Sequence, residues 1–307
     1  MNKKIIGLIC RILLGLLFIA SAVLKYLSID HTDMFLFEHK LMPWTLTQFA
    51  TRLIIAFEAA LGILLSLGIK LRLTKILAFL SLIVFTIYLL LKPIWFGDTD
   101  ENCHCFGNYV RLTHFQSIAK NVVMLLLLCM VGWTKDWKPR FATTIAVITI
   151  SLTTITAMVI RPVDVIVTYL YDEQHKLDKE AFEVLIQLDE VKPLNLQNGK
   201  KVLCLYSTGC KHCKRTAKKL EVMMQIHDLD TQKFPTIFWG SEAGVQNFRT
   251  QTQSRALPTA LVNPIIFLKA TKKRQPLIVL LSNGKVEQVF DSRGLNEGEM
   301  VRFLKTP

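Results

Sequence analysis

Five apolar runs crowd the first half of the chain and constrain it more than any other feature: 5–24, 49–67, 73–91, 117–133 and 141–160. A hydrocarbon core about 30 Å thick takes roughly 20 helical residues rising about 1.5 Å each, so each run can cross a bilayer. The fifth carries Thr143, Thr144, Thr149, Thr153, Thr154 and Thr156 but no charge. Helical threonine hydroxyls bond back to the preceding turn, so it too can span. With 51% hydrophobic and only 20% charged residues, the chain is too apolar for an ordinary soluble globule or for disorder. The net charge of +13 does not point to nucleic acid, because basic residues beside apolar spans more often set membrane orientation.

Lys3, Lys4, Lys70, Arg72, Lys75, Lys135, Lys138 and Arg140 lie at alternate ends of the spans, opposed there only by Asp136. That face is predicted to be cytoplasmic. The other loops hold Lys25, Lys40, Lys92 and Arg111 against Asp30, Asp33, Glu38, Asp98, Asp100 and Glu101, and are predicted to face outward. Five crossings from an inside N-terminus deliver everything after about residue 161 to the same outer compartment as the 92–116 loop. Lys3 and Lys4 before an apolar run, with Ala20-Ser21-Ala22 after it, also fit a cleavable signal peptide, but Arg11 interrupts the run. The expected organisation is a four-span membrane domain over 1–140, a fifth span over 141–161, a linker over 162–193 and an α/β domain over 194–307.

Seven cysteines divide by position. Cys10 and Cys129 fall inside spans, where a thiol acts as a small buried hydrophobe. Cys103-His104-Cys105 occupies an outward loop, Cys210-Lys211-His212-Cys213 opens a helix in the soluble part, and Cys204 lies in the strand before it. Both close pairs therefore sit on the side where disulfides persist.

The run 201–206 lacks alternation and reads as a strand buried on both faces, with 207–209 as a turn. From Cys210 onward, Ala217, Leu220, Met223 and Met224 are spaced to face a core along one helix. Cys-x-x-Cys at that junction puts the first sulfur at the helix N-terminus and the second one turn along, where free N–H groups and the helix dipole favour thiolate. Lys211, His212, Lys214 and Arg215 would stabilise an anionic Cys210, His212 foremost, whereas Lys218 and Lys219 read as a solvated basic face. Further strands are expected over 234–239, 277–281 and 285–290, the last two joined at Asn283-Gly284, and a final helix over 296–304.

This order of strand, Cys-x-x-Cys, helix, strand, helix, proline, hairpin and helix resembles the thioredoxin fold over about 194–307. The resemblance implies that Pro276, seven residues before Asn283, is the cis-proline that packs against the active disulfide and shapes the substrate groove. Gly209 stands where that family often has tryptophan, and Cys204 where it has a buried carboxylate, so the resemblance implies an activity-tuning position at Cys204 and leaves proton handling different from the family's. The His within the motif is similar to the oxidising DsbA-like members.

In the membrane part, Cys103 and Cys105 are so close in sequence that a bridge between them would be strained and easily reduced, a property of exchanging disulfides. The competing reading is a zinc or copper site built from Cys103, His104, Cys105 and His114. Arg11 and Glu58 fall inside spans, where an ion is expensive, so they are expected to pair with each other or to serve a proton relay or quinone site. Residues 1–140 resemble the DoxX-like MauE family of bacterial membrane proteins. The features that carry this are Arg11, Gly15 and Lys25, Glu58 with Gly62, Cys103-x-Cys105-Phe106-Gly107, and Asn121. His104 departs from the glycine usual between those cysteines. The resemblance implies a bacterial inner-membrane protein serving disulfide formation or thiol redox transfer, as in methylamine utilisation, where a partner enzyme needs periplasmic disulfides. The whole reads as an α-helical polytopic bundle followed by a thioredoxin-like domain, acting as a thiol-disulfide oxidoreductase on periplasmic protein thiols. By analogy with other membrane disulfide-forming enzymes, quinone is the candidate electron acceptor. The alternative is a metal-handling membrane protein whose C-terminal domain keeps the ligand thiols reduced.

Overall fold

The computed structural model describes residues 3–96, 105–110, 112–132, 134, 136–137, 139–170 and 177–306, and divides into two compact units, Met1–Val163 and Asp164–Pro307. Cys103, His104 and the charges Asp98, Asp100, Glu101, Arg111, Lys135 and Lys138 lie outside the described residues.

The first unit holds α1 (Lys3–Leu27), α2 (Ile29–Glu38), α3 (Trp44–Leu67), α4 (Leu71–Phe96), the short strand β1 (Cys105–Asn108), α5 (His114–Val131) and α6 (Ala142–Ile160). Five of these, α1, α3, α4, α5 and α6, are long and apolar enough to cross a membrane. The chain is a multi-pass membrane protein. Apolar side chains such as Leu13, Val84, Leu126 and Leu152 point away from the bundle, as a surface solvated by lipid tails requires. In α6, Thr149 and Thr153 donate to the carbonyls of Ile145 and Thr149, so their hydroxyls are satisfied within the helix.

Without a hydrophobic drive between lipid-solvated helices, close backbone packing carries association. At Gly15 of α1 a Cβ would stand 2.7 Å from the Gly62 carbonyl of α3, so no larger residue fits this crossing. The inner face of the bundle is filled by Leu14, Phe18, Leu61, Leu65, Leu82, Met124 and Leu128. The segment after α1 contains the helix α2. Its Asp33 accepts from Arg52 Nη1 of α3 at 2.6 and 2.7 Å, a fully buried pair fastening the two.

The second unit begins with α7 (Asp164–Leu170) and α8 (Lys179–Gln187), followed by β2 (Lys200–Ser207), α9 (Lys211–His227), β3 (Thr236–Trp239), α10 (Glu242–Thr252), β4 (Thr259–Val262), α11 (Pro264–Ala270), β5 (Leu277–Ser282), β6 (Lys285–Phe290) and α12 (Glu297–Lys305). The sheet order is β4-β3-β2-β5-β6, with β2, β3 and β4 parallel and β5 and β6 antiparallel. β2 is central, which explains its unalternated apolar sequence: Leu203 and Leu205 face one layer, Cys204 and Tyr206 the other. Asn283 and Gly284 close the hairpin with φ of 49° and 77°, as a two-residue turn of this hand demands. The parallel edge strand β4 is an addition to the expected order, too short and too polar at Thr259 to announce itself.

The region 162–193 is not a linker throughout. Ala181, Phe182, Leu185 and Ile186 of α8 belong to the same core cluster as Leu203, Leu205, Ile237 and Val279. The helix is amphipathic and capped by Asp178, which accepts from Ala181 N. Phe182→Ala should therefore destabilise the second unit by about 3–5 kcal/mol. Urea unfolding read by alkylation of the buried Cys213 thiol checks this, and a mere linker would show no change.

Candidate functional site

Cys210 is the N-cap of α9, and its sulfur accepts from the backbone N–H of Cys213 at 3.3 Å. The Cys213 thiol beneath it is fully buried and receives the Ser207 N–H at 3.5 Å. Both are free thiols. The Cys210 thiol is lowered to about 6, first by the hydrogen bond from the Cys213 side chain, against the opposing effect of burial. The N–H groups of Cys213 and His212 add to this, and the His212 charge contributes least. Cys213 moves the opposite way, held well above the ordinary thiol range by burial and by its bond to Cys210. One sulfur is thus anionic and half-exposed, the other protonated and enclosed.

The basic cluster contributes less than its sequence suggests. Lys214 donates to Gln251 Oε1 at 2.7 Å, and Lys219 is no solvated cation: it is buried, donates to the Leu295 carbonyl at 3.2 Å and faces Asp164 at 3.9 Å. Burial lowers it to about 8. The Cys213 thiol and backbone donors at the helix start, rather than surrounding lysines, hold the thiolate.

Cys204 is buried in β2 and pushed up to about 12 by burial, so it stays a neutral thiol at physiological pH and is a poor replacement for a proton-accepting carboxylate. With Tyr206 it lines a cavity of about 20 Å³, room for about one water. There the Tyr206 hydroxyl meets the Cys204 thiol. The Gln275–Pro276 peptide is cis. Since β5 pairs with β2 through Leu277 opposite Leu205, Pro276 continues this register opposite Tyr206, toward the end of β2 that turns into Cys210. Trp239 Nε1 holds the preceding Gln275 through Oε1 at 2.7 Å.

The second sulfur site lies in the membrane unit. Cys105 is disulfide-bonded and 2% exposed, packed with Phe85, Tyr88, Leu89 and Phe106. Gly107 follows with φ +64°, where a Cβ would fall 2.0 Å from Ser28 Oγ, so the turn rests directly on the end of α1. Ser28 Oγ also accepts from Asn108 N. Glu58 pairs with Lys25, not with Arg11. The physical reason is axial: Arg11 lies near the other end of the span, with Nη2 3.5 Å from the Ser66 carbonyl at the C-terminal turn of α3, where a cation suits the helix dipole. Ser21 Oγ joins the Lys25–Glu58 pair to the sulfur segment, 3.0 Å from Glu58 Oε2 and 2.9 Å from the Cys105 carbonyl. Lys25 Nζ donates to Ser21 Oγ at 3.2 Å.

Lys25, Ser21 and Lys120 are functional candidates whose roles at this site were not assigned from sequence. Lys120 carries the same signal as Arg11 and Glu58, a charge inside an apolar run. Ser21 offers none. Cys129 is exposed on the outer face of α5 rather than buried, while Cys10 is buried with its thiol 3.6 Å from Met130 Sδ. Of the four candidate metal ligands, Cys103 and His104 lie outside the described residues. The ring nitrogens of His114 are buried without a partner, and no group of three His, Cys, Asp or Glu among the described residues is placed to hold a metal.

Residues 3–134 match the family described as Methylamine utilisation protein MauE. The chain is also similar to Protein TlpB of Flavobacterium psychrophilum, 26% identical over 340 aligned positions that cover 92% of this chain and 90% of that one.

With the reduced protein, alkylation of Cys210 should be half-maximal near pH 6, about where its thiolate forms, while Cys213 stays unreactive until the unit unfolds. The folded-state value is depressed, so this thiolate adds stability that is complete above the ordinary thiol value and is lost as pH falls through about 6. A half-maximum near pH 9 would contradict the N-cap arrangement.

Proposed function

We propose that this protein is a membrane-anchored thiol-disulfide oxidoreductase, with Cys210 as nucleophile and Cys213 as resolving thiol. The observation that carries the reading is the split between the two sulfurs: a half-exposed thiolate at a helix N-terminus above an enclosed, protonated partner. The Cys210 thiolate attacks a substrate disulfide, forming a mixed disulfide and expelling one substrate thiolate, which takes a proton. Cys213 then gives up its proton, attacks Cys210 Sγ and releases the second substrate thiol. Two electrons and two protons pass to the substrate, and the same steps reversed oxidise a dithiol. Pro276 borders the groove that receives the substrate backbone, and His212 adjusts the Cys210 thiolate.

In this proposal the Cys103/Cys105 couple exchanges electrons with the Cys210/Cys213 couple in one compartment, the periplasm of a bacterial inner membrane, with the N-terminus cytoplasmic. The charge distribution among the loops supports that orientation, and the disulfide at Cys105 supports an oxidising setting. In the oxidising direction the electrons need an acceptor in the bilayer, a role that a quinone fills.

Cys210→Ser should abolish exchange with a small aromatic disulfide, and Cys213→Ser should accumulate mixed disulfides visible on non-reducing gels. Undiminished turnover by Cys210→Ser protein would end the assignment. Reconstitution with quinone and reduced substrate should bleach quinone absorbance if the acceptor is right.

A further inference from the structure

An ammonium group inside an apolar bundle is costly, commonly by a few kcal/mol, and calls for a partner. Lys25 has one in Glu58. Lys120 of α5 has none of that kind: among the described residues its Nζ makes neither hydrogen bond nor ion pair and meets only two aromatic faces, Phe106 at 4.9 Å and Phe85 at 5.5 Å. Phe106 is the residue after Cys105, and both rings share the cluster that encloses the Cys105 sulfur. Lys120 also feels the charges of Lys25 and Glu58. Around the Cys105 disulfide, therefore, α1 supplies Lys25, α3 supplies Glu58 and α5 supplies Lys120. From α4, Tyr88 joins the cluster and bonds His39 Nε2 of α2 at 2.6 Å, while Lys92 lies on Phe35. Among the described residues, two cations face one carboxylate at the disulfide, an excess of one positive charge.

Opening a buried disulfide supplies the missing negative charge. An incoming thiolate bonds to one sulfur, the S–S bond breaks, and the other sulfur leaves as thiolate in a site only 2% open to water at Cys105. We propose that Lys120 is the positioning residue that compensates this leaving thiolate: its ammonium rests on Phe85 and Phe106 while the disulfide is closed and faces the anion once it opens. The incoming dithiol loses two electrons and forms its own disulfide; one of its protons passes to a sulfur of the Cys105 couple and the other to water, which leaves the second sulfur as the thiolate facing Lys120. Lys25 is not free for this task, because Glu58 and Ser21 occupy it. The inference rests on the Cys105 couple being redox-active, as in the function proposed above.

The test is the equilibrium of the Cys105 couple in full-length protein against dithiothreitol redox buffers, read as the mass shift of the alkylated peptide. A nearby cation favours the reduced, thiolate-bearing form, so Lys120→Met should make the disulfide about tenfold harder to reduce, equal to about 30 mV for a two-electron couple. Its alkylation profile should move to higher pH, because the thiolate loses its cation. Lys120→Arg should stay near wild type. Unchanged values in Lys120→Met overturn the proposal, as does an equal loss in Lys120→Arg, which would make the effect one of shape. Should Lys120→Met fail to accumulate, Lys120→Gln carries the same reading. Dithiothreitol replaces the Cys210 couple here, so undiminished turnover by Cys210→Ser would sink the exchange function without touching this result.

Discussion

The ion pair between Lys25 and Glu58 is the interaction on which the membrane unit turns. Two opposite charges buried between α1 and α3 must satisfy each other, since lipid offers neither of them a partner. Ser21 completes the arrangement by lying within bonding distance of both the carboxylate and the Cys105 carbonyl. A hydroxyl has one proton to give, so Ser21 donates to one of these two acceptors at a time while it accepts from Lys25. The close approach of Gly15 and Gly62 lets the two helices bring these groups together.

The two sulfur sites solve one electrostatic problem by different means. At Cys210 the thiolate is half in water, and peptide N–H groups at the helix start, together with the neighbouring thiol, suffice to hold it. Cys105 instead opens a strand and is 2% exposed, so neither a helix start nor water is at hand there, and the proposed role of Lys120 rests on this difference. Cys204 shows what full burial does to a thiol: hydrogen bonds with Tyr206 and Thr236 do not offset it, and the group stays protonated.

Much of this was legible in the residues themselves. The apolar runs gave the spans to within a few positions, since length and hydropathy are all that a bilayer tests. Cys210 at a strand-to-helix junction, the Asn283-Gly284 hairpin and Pro276 seven residues ahead of it marked the α/β domain, because turns and caps are chosen by local backbone geometry. The helix α8 escaped as a linker because a nine-residue helix between polar stretches buries its apolar stripe only when the sheet is there to receive it.

What the chain could determine alone was its division into apolar spans and an α/β domain, and the place of its close cysteine pairs within them. Only the tertiary structure decided that Glu58 meets Lys25 and not Arg11, that Lys219 is buried rather than solvated, and that Lys120 lies on the aromatic wall of the Cys105 disulfide. The reason is geometric. Periodicity fixes which face of a helix a residue occupies, but which residues of two helices meet depends on their relative rotation and axial shift, and these are set by packing across the whole bundle.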